Sequence, residues 1–293
     1  MFTEVKFMLY TISSDTLTAQ ISDFGAELSS LKTADGTELI WQADPEIWKR
    51  HAPLLFPFIC NTASKKYTVN GAEYSLSNHG FARDTVFECV SKTDESVRFV
   101  LDSTEETLKK YPYKFELSAE YTLSGNTLTT SVTVKNTDNK DIFFFIGGHP
   151  AFNCPLTDGD NFEDYYVEYS ENETITQPVP SGERTILDDG RQVPLTHELF
   201  AHDVFMKDKP NSSSVSLKSK KSEMSVRLDY DNSGCIAVWS PARNDANFVC
   251  LEPWSSVPVY CDKVEELTEM PHAKKLAAGE SYVFSYKISL LTE

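Results

Sequence analysis

The sequence predicts an all-β fold of stacked antiparallel sheets with only a few short helices. Three observations lead there. Apolar and polar residues alternate wherever the chain is periodic, turn-forming residues punctuate the alternating runs, and no strand is followed by a long helix and then a second strand.

In chain order, Leu17, Ala19 and Ile21 give the first period-two run, the pattern of a strand buried on one side. Pro45-Glu46-Ile47-Trp48 reads as one helical turn. Asn70-Gly71 stands between Tyr67/Val69 and Tyr74/Leu76, and this dipeptide readily takes the positive φ values of a tight hairpin. Thr104 to Lys110 reads as a short helix capped by Thr104. Phe115, Leu117, Ala119, Tyr121 and Leu123 alternate most regularly, and Ser124-Gly125-Asn126 returns the chain into a strand carrying Leu128, Val132 and Val134. Asn136 to Asn139 then turns it into the apolar run Ile142 to Ile146. His197 to Phe200 reads as a third short helix and Asn211 to Ser214 as a loop. Gly279-Glu280 introduces a last strand through Tyr282, Phe284, Tyr286, Ile288 and Leu290.

A length of 293 residues suits one large β domain, and no composition shift or Pro/Gly/Ser linker divides it, so residues 1–293 are expected to fold as a single unit. Hydrophobic residues make up 40% and lie in short stretches, so no membrane partner is expected. Met1-Phe2-Thr3-Glu4-Val5-Lys6 lacks the basic-then-apolar pattern of a secretory signal, which points to a cytoplasmic protein. The six cysteines are scattered with no Cys-x-x-Cys pair, the pattern of reduced thiols. A net charge of -17, from 27 basic and 44 acidic residues, repels nucleic acid and anionic membranes. A neutral small molecule fits such a surface, as does an anionic one where a local basic pocket exists.

Asn78-His79-Gly80-Phe81-Ala82-Arg83, Gly147-Gly148-His149-Pro150-Ala151-Phe152 and Leu251-Glu252-Pro253-Trp254 place two histidines and a glutamate in apolar or aromatic surroundings. Imidazole and carboxylate can take a proton from one oxygen of a substrate and give one to another, as the opening and closing of a sugar ring requires. His149 follows an apolar run and two glycines, where the backbone can pass close to a ligand, and Pro150 breaks the strand. A lone histidine there more often bonds a loop carbonyl. Glu252 ends an apolar strand, where an unpaired charge is costly, so a salt bridge to Arg243 or Arg83 is the plain alternative to a catalytic base. Trp254 offers either an apolar face for a sugar ring or a core side chain. Arg83 serves as a structural ion pair or as a phosphate-gripping guanidinium. Asp203 reads on its own as a turn residue, His202 and His51 as structural, and His197 and His272 as surface residues. No two of the histidine and glutamate candidates stand at metal-ligand spacing and no Gly-x-Ser-x-Gly elbow is present, so neither a metal nor a serine nucleophile is expected.

In order and wording the three runs resemble the aldose 1-epimerase (galactose mutarotase) family, most closely its LacX-like branch. Gly25-Ala26-Glu27-Leu28, Gly36-Thr37-Glu38-Leu39-Ile40-Trp41, Pro53-Leu54-Leu55-Phe56-Pro57 and Asp203-Val204-Phe205 extend the resemblance over most of the chain. It implies a large twisted antiparallel β-sandwich and a cofactor-free isomerase that interconverts α and β anomers of a hexose. It also implies that His149 is the general acid at the ring oxygen, Glu252 the base at the anomeric hydroxyl, and that His79 and Asp203 bond the sugar. The family's usual Gly-Arg after Leu-Phe-Pro is replaced here by Ile59-Cys60-Asn61, so Asn61 offers an amide where a charge is usual. Ser255-Ser256 likewise stands where Gly and then Asp are usual. Two rivals follow: a hexose-6-phosphate 1-epimerase, with Arg83 or the Lys65-Lys66 region at the phosphate, and a sugar-binding or regulatory protein without efficient turnover.

Overall fold

A computed structural model describes residues 7–230, 233–259 and 263–292, so Cys261 lies outside the described part. The alternating runs form the expected strands. Leu17–Ser22 buries Leu17, Ala19 and Ile21, and Phe115–Ser124 pairs with Thr127–Asn136 in register from Phe115↔Asn136 to Ser124↔Thr127. Asn70 and Gly71 both take positive φ and close the hairpin of Lys66–Val69 and Ala72–Ser75. Thr104 caps the helix Glu105–Leu108, its side chain accepting from the Thr107 N–H. His197–Phe200 is a 3-10 turn capped by Thr196. The segment from Pro45 to Trp48 makes one hydrogen-bonded turn, closed by the Trp48 N–H on Asp44 O at 2.8 Å, and goes no further as helix.

Two sheets carry the architecture. In the nine-stranded antiparallel sheet the order is Gly182–Pro194, Tyr165–Val179, Ser214–Ser219, Ser225–Asp229, Ser281–Leu291, Thr127–Asn136, Phe115–Ser124, Ser96–Asp102 and Glu88–Lys92. The second, here called the site sheet, runs Phe205–Asp208, Cys235–Trp239, Phe248–Trp254, Gly147–Gly148 and Leu54–Leu55, with Ala151–Asn153 also paired to Phe248–Trp254. Their inner faces share a core in which Val249 and Leu251 meet the same cluster as Leu117, Val132, Tyr286 and Ile288. A smaller sheet of Leu9–Ser13, Leu17–Ser22 and Leu28–Thr33 adds to that core. Among the described residues no helix is long and apolar enough to cross a membrane.

Strand Phe248–Trp254 is buried along its whole length, so both of its faces are covered. Val249 and Leu251 face the main core. Phe248 and Cys250 instead join a separate cluster with Ala151 and Ala246, beneath Trp41, Ile47, Trp48 and Trp239. Side chains alternate along a strand, so Glu252 falls on the tryptophan face.

The two glycines before His149 admit protein side chains. A Cβ on Gly147 would lie 2.7 Å from Trp254 Cδ1, and one on Gly148 would lie 2.7 Å from Tyr286 Cε1. The close approach expected there of a ligand is made by an indole and a phenol. Gly80 is constrained more severely, with φ +75° and a Cβ position 2.1 Å from Phe56 O, the carbonyl that accepts the N–H groups of Phe81 and Ala82. Gly80→Ala is expected to lose at least about 3 kcal/mol of stability. Gly159→Ala, at φ +91° with nothing within 4 Å, should lose only about 1 kcal/mol. Denaturant titration of the two variants measures both, and equal losses would mean that the Phe56 contact yields without strain.

Candidate active site

The site grows from one cross-strand pair. Gly147 opposes Trp254 and Ala151 opposes Cys250, and this register sets His149 against Glu252. His149 Nε2 lies 3.1 Å from Glu252 Oε2, with His149 5% and Glu252 1% exposed. Pro150 interrupts the strand at this point, and its carbonyl still accepts the Leu251 N–H at 3.2 Å.

The expected salt bridge is absent: Arg243 pairs with Asp245, and Arg83 makes no bond to the Glu252 carboxylate. Arg243 is exposed and held by Asp245 and the Glu46 carbonyl, and Arg83 turns to Asp84 at 4.0 Å.

Aromatic rings fix the imidazole. Trp48 stacks on His149 with centroids 5.0 Å apart, while Trp239 at 5.8 Å and His79 at 5.5 Å meet it edge-on. Trp48 is held by its turn and by the Trp41 indole N–H, which donates to Trp48 O at 2.8 Å. Trp41 is held in turn by its own N–H on Ala151 O. His79, at φ +63°, accepts the Cys60 N–H on Nδ1 at 3.0 Å, which leaves its proton on Nε2 as a donor. Buried Glu27 accepts the N–H groups of His51 and Ala52, so it anchors the loop that presents Trp48 and Arg50.

These groups line a cavity of about 490 Å³, together with Arg83, Asn61, Asp203 and Trp254. Asp203 takes φ +69°, and its Oδ1 accepts the Trp239 indole N–H at 2.7 Å. Five buried polar atoms of cavity-lining residues have no hydrogen-bond partner among the described residues: Asn78 Oδ1, Arg83 Nε, His149 Nδ1, Glu252 Oε2 and Trp254 Nε1. Buried polar atoms are rarely left so, and their convergence on one cavity makes it a candidate site for a polar ligand.

Burial governs the protons here. It pushes His149 down to about 3, helped by the Arg83 and Arg50 charges, and holds Glu252 well above the usual carboxylate range. Burial also depresses His79, with the charges of His149 and Arg83 adding to it. At a 3.1 Å contact burial therefore sets a neutral imidazole beside a protonated carboxyl.

The sequence-predicted residues His149, Glu252, His79, Arg83, Asp203, Asn61 and Trp254 therefore all line one cavity. Sequence reasoning missed Arg50, Lys49, Asn78, Trp48 and Trp239. Arg50 matters most, because it brings a guanidinium to the cavity whose usual arginine Asn61 replaces. It is braced by Nη1 on Arg83 O at 2.9 Å and Nη2 on Asp84 Oδ1 at 2.5 Å. Two histidines also sit differently from expectation. His197 is half-buried, stacked on Phe162 at 4.2 Å, and His202 is exposed. His197, at the start of the 3-10 turn, is covered by the Phe162 ring, while His202 lies beyond the turn and faces solvent.

Ligand spacing in sequence also hid a cluster formed across strands: one ligand atom each from His149, Cys250 and Glu252 lies within 4.8 Å of the others. Burial raises the Cys250 thiol pKa, so without a bound cation the set is a neutral thiol beside the His149–Glu252 contact.

The aldose 1-epimerase family model matches residues 8–289. The chain belongs to the aldose 1-epimerase family. It is 34% identical to the plasmid-encoded protein LacX of Lactococcus lactis subsp. lactis, over 97% of this chain and 100% of that protein. A galactose mutarotase related enzyme from Lactobacillus acidophilus superposes with a TM-score of 0.90 at 33% identity, covering 97% of each chain. A galactose mutarotase-like protein from Lactobacillus casei gives 0.89 at 32% identity, covering 97% of this chain and 100% of that one. Membership of this epimerase family, with these galactose mutarotase-like neighbours, supports a mutarotase-type isomerase acting on a sugar.

A raised carboxyl pKa carries a sign for stability. Folding favours the protonated form of Glu252, so its contribution is complete below the unfolded carboxyl value of about 4.3 and is lost as pH rises toward the folded value. Glu252→Gln is therefore expected to melt higher than the parent at pH 7 to 8, with the gain shrinking below about pH 5. Thermal unfolding across this range measures it, and a variant less stable than the parent at pH 7 would contradict the assignment.

Proposed function

We propose that this protein is a cofactor-independent aldose 1-epimerase that interconverts the α and β anomers of a hexose, acting as one cytoplasmic domain. The observation that carries the reading is the contact of His149 Nε2 with Glu252 Oε2 at 3.1 Å in a cavity whose unpaired polar atoms suit sugar hydroxyls. The ring oxygen and the anomeric hydroxyl are bonded to the same carbon. An acid and a base that serve both must therefore stand side by side, as a cross-strand pair does.

In this mechanism sugar hydroxyls donate to the Glu252 carboxylate and shift the pair's proton to His149. Glu252 then removes the anomeric hydroxyl proton while the bond from C1 to the ring oxygen breaks, and His149 protonates that oxygen. The aldehyde turns about its first carbon-carbon bond. Closure on the other face returns both protons. His79 Nε2–H, Asp203, Asn61 and Arg83 hold hydroxyls, and Trp48, Trp239 and Trp254 border the ring.

One observation favours a second reading, a hexose 6-phosphate. The Arg83 guanidinium, 14% exposed, makes no hydrogen bond to the described residues, and Arg50 and Lys49 line the same cavity of a chain with net charge -17. A phosphate would satisfy those donors in a bidentate way. The Lys65-Lys66 region is not among the cavity-lining residues. A binding protein without turnover is the reading of another class, and it loses its main argument once Arg50 supplies the charge missing at Asn61.

Magnetisation-transfer NMR with galactose, glucose and glucose 6-phosphate, corrected for spontaneous exchange, tests the proposal. Wild-type protein should accelerate exchange, and Glu252→Gln and His149→Gln should each lose at least about 100-fold while still binding sugar. Undiminished exchange in Glu252→Gln would remove it from the mechanism. Arg83→Met separates the two substrates: a loss confined to glucose 6-phosphate would establish the phosphorylated one, and an equal loss would favour the neutral hexose.

A further inference from the structure

The strand Tyr165–Val179 turns a stripe of side chains inward at its far end: Glu173, Ile175 and Gln177 are buried between exposed neighbours. Two of the three are polar, which a strand serving only the core does not need. Gln177 is 2% exposed, and its Nε2 lies 2.9 Å from His202 O, 3.2 Å from Asp203 O and 3.0 Å from Val204 O. Two amide hydrogens are thus shared among three consecutive carbonyls. The opposite amide orientation would set Oε1 against those carbonyls, so the hydrogen-bond network itself fixes which end is the donor.

Three further contacts tie the same hairpin to the same segment. Arg184 Nη1 donates to Leu199 O at 3.1 Å, Lys207 Nζ donates to Thr174 O at 3.1 Å, and Lys207 Nζ also pairs with Glu173 Oε2 at 3.5 Å. The long hairpin Tyr165–Val179/Gly182–Pro194 therefore grips residues 199–207 at both ends and in the middle. The middle grip falls on Asp203, which stands in the left-handed region at φ +69° and whose carboxylate accepts the Trp239 indole N–H. Asp tolerates that conformation but does not prefer it, so something must hold it. Converging three carbonyls on one donor curls the chain in the way that conformation requires.

We propose that Gln177 is a positioning residue that sets the Asp203 loop, and so fixes where the Asp203 carboxylate and the Trp239 indole meet the sugar. Gln177 is not among the residues lining the cavity and acts through the backbone of residues 202–204. The inference rests on the reading of Asp203 as a partner of sugar hydroxyls. Its effect belongs to binding: loss of the grip should raise KM and spare the proton transfers of His149 and Glu252, which stand on other strands.

The test compares Gln177→Leu with Asp203→Gly, since glycine accepts the positive φ and removes only the carboxylate. Both should raise KM for the exchanged sugar by at least about five-fold with kcat within about two-fold of the parent. In Gln177→Leu the Trp239 indole ¹H–¹⁵N cross-peak should move, while that of Trp41, bonded to Trp48 O, stays as internal control. Unchanged KM and an unchanged Trp239 cross-peak in a folded Gln177→Leu protein would overturn the inference. If Asp203→Gly leaves KM unaltered, the reading of Asp203 falls and takes the inference with it, a pattern told apart because the Trp239 cross-peak of Gln177→Leu still moves. Should Gln177→Leu not fold, the side-chain amide of Gln177 in the parent protein decides: slow hydrogen exchange of its NH₂ supports the grip, and rapid exchange overturns it.

Discussion

A carboxyl group buried against an imidazole, with no salt bridge to a lysine or arginine among the described residues, is the constraint around which this structure is arranged. Removing such a group from water costs on the order of several kcal/mol if it is charged. Glu252 avoids that cost because burial holds its carboxyl protonated, with the His149 imidazole kept neutral 3.1 Å away. The contact survives only while two strands keep the register that opposes Gly147 to Trp254 and Ala151 to Cys250. A slip of one residue would turn Glu252 into the main core and Leu251 toward the cavity.

Everything else near the site serves that pair or the ligand it would meet. The core faces of both sheets hold the register. Glu27 fixes the loop that brings Trp48 over the imidazole and Arg50 to the rim. Gly80 lets the His79 turn cross Phe56 O, and His79 is locked by the Cys60 N–H into the tautomer that donates from Nε2. The strand pairing thus sets the proposed acid and base, which need precision, while loops braced by buried carboxylates or amides carry the groups proposed to meet hydroxyls. The two guanidiniums add a field that keeps His149 from charging unless something neutralises it or solvates Glu252.

Much of this was legible in the sequence because it is local. Alternation located the long strands, Asn70-Gly71 located a hairpin, and Thr104 located a cap, since each depends on residues a few positions apart. The motif residues His79, Arg83, His149, Asp203 and Glu252 were found as candidates, and they meet at one cavity. What remained hidden is long-range. The cavity position of Arg50 depends on the Arg83 carbonyl and Asp84, some thirty residues away, and a turn of Pro45 to Trp48 gave no sign of it. Gln177 sits in an ordinary polar stretch whose inward stripe appears only once the hairpin packs on residues 202–204. The salt bridge expected for Glu252 rested on the general cost of burying charge, which the structure meets by keeping the carboxyl protonated instead of pairing it with Arg243 or Arg83.

The central claim is that burial shifts His149 and Glu252 in opposite directions, keeping the imidazole neutral and the carboxyl protonated beyond its usual range. NMR of protein carrying ¹⁵N-histidine and carboxyl-¹³C glutamate, titrated from pH 4 to pH 9 and assigned with His149→Gln and Glu252→Gln, observes it directly. The account predicts that neither signal titrates near its ordinary value: the Glu252 carboxyl still carries its proton above about pH 5, and the His149 ring does not take up a full charge near 6.5. Two independent titrations at about 4.3 and about 6.5 would show an ordinary carboxylate beside an ordinary imidazole, and would contradict the account.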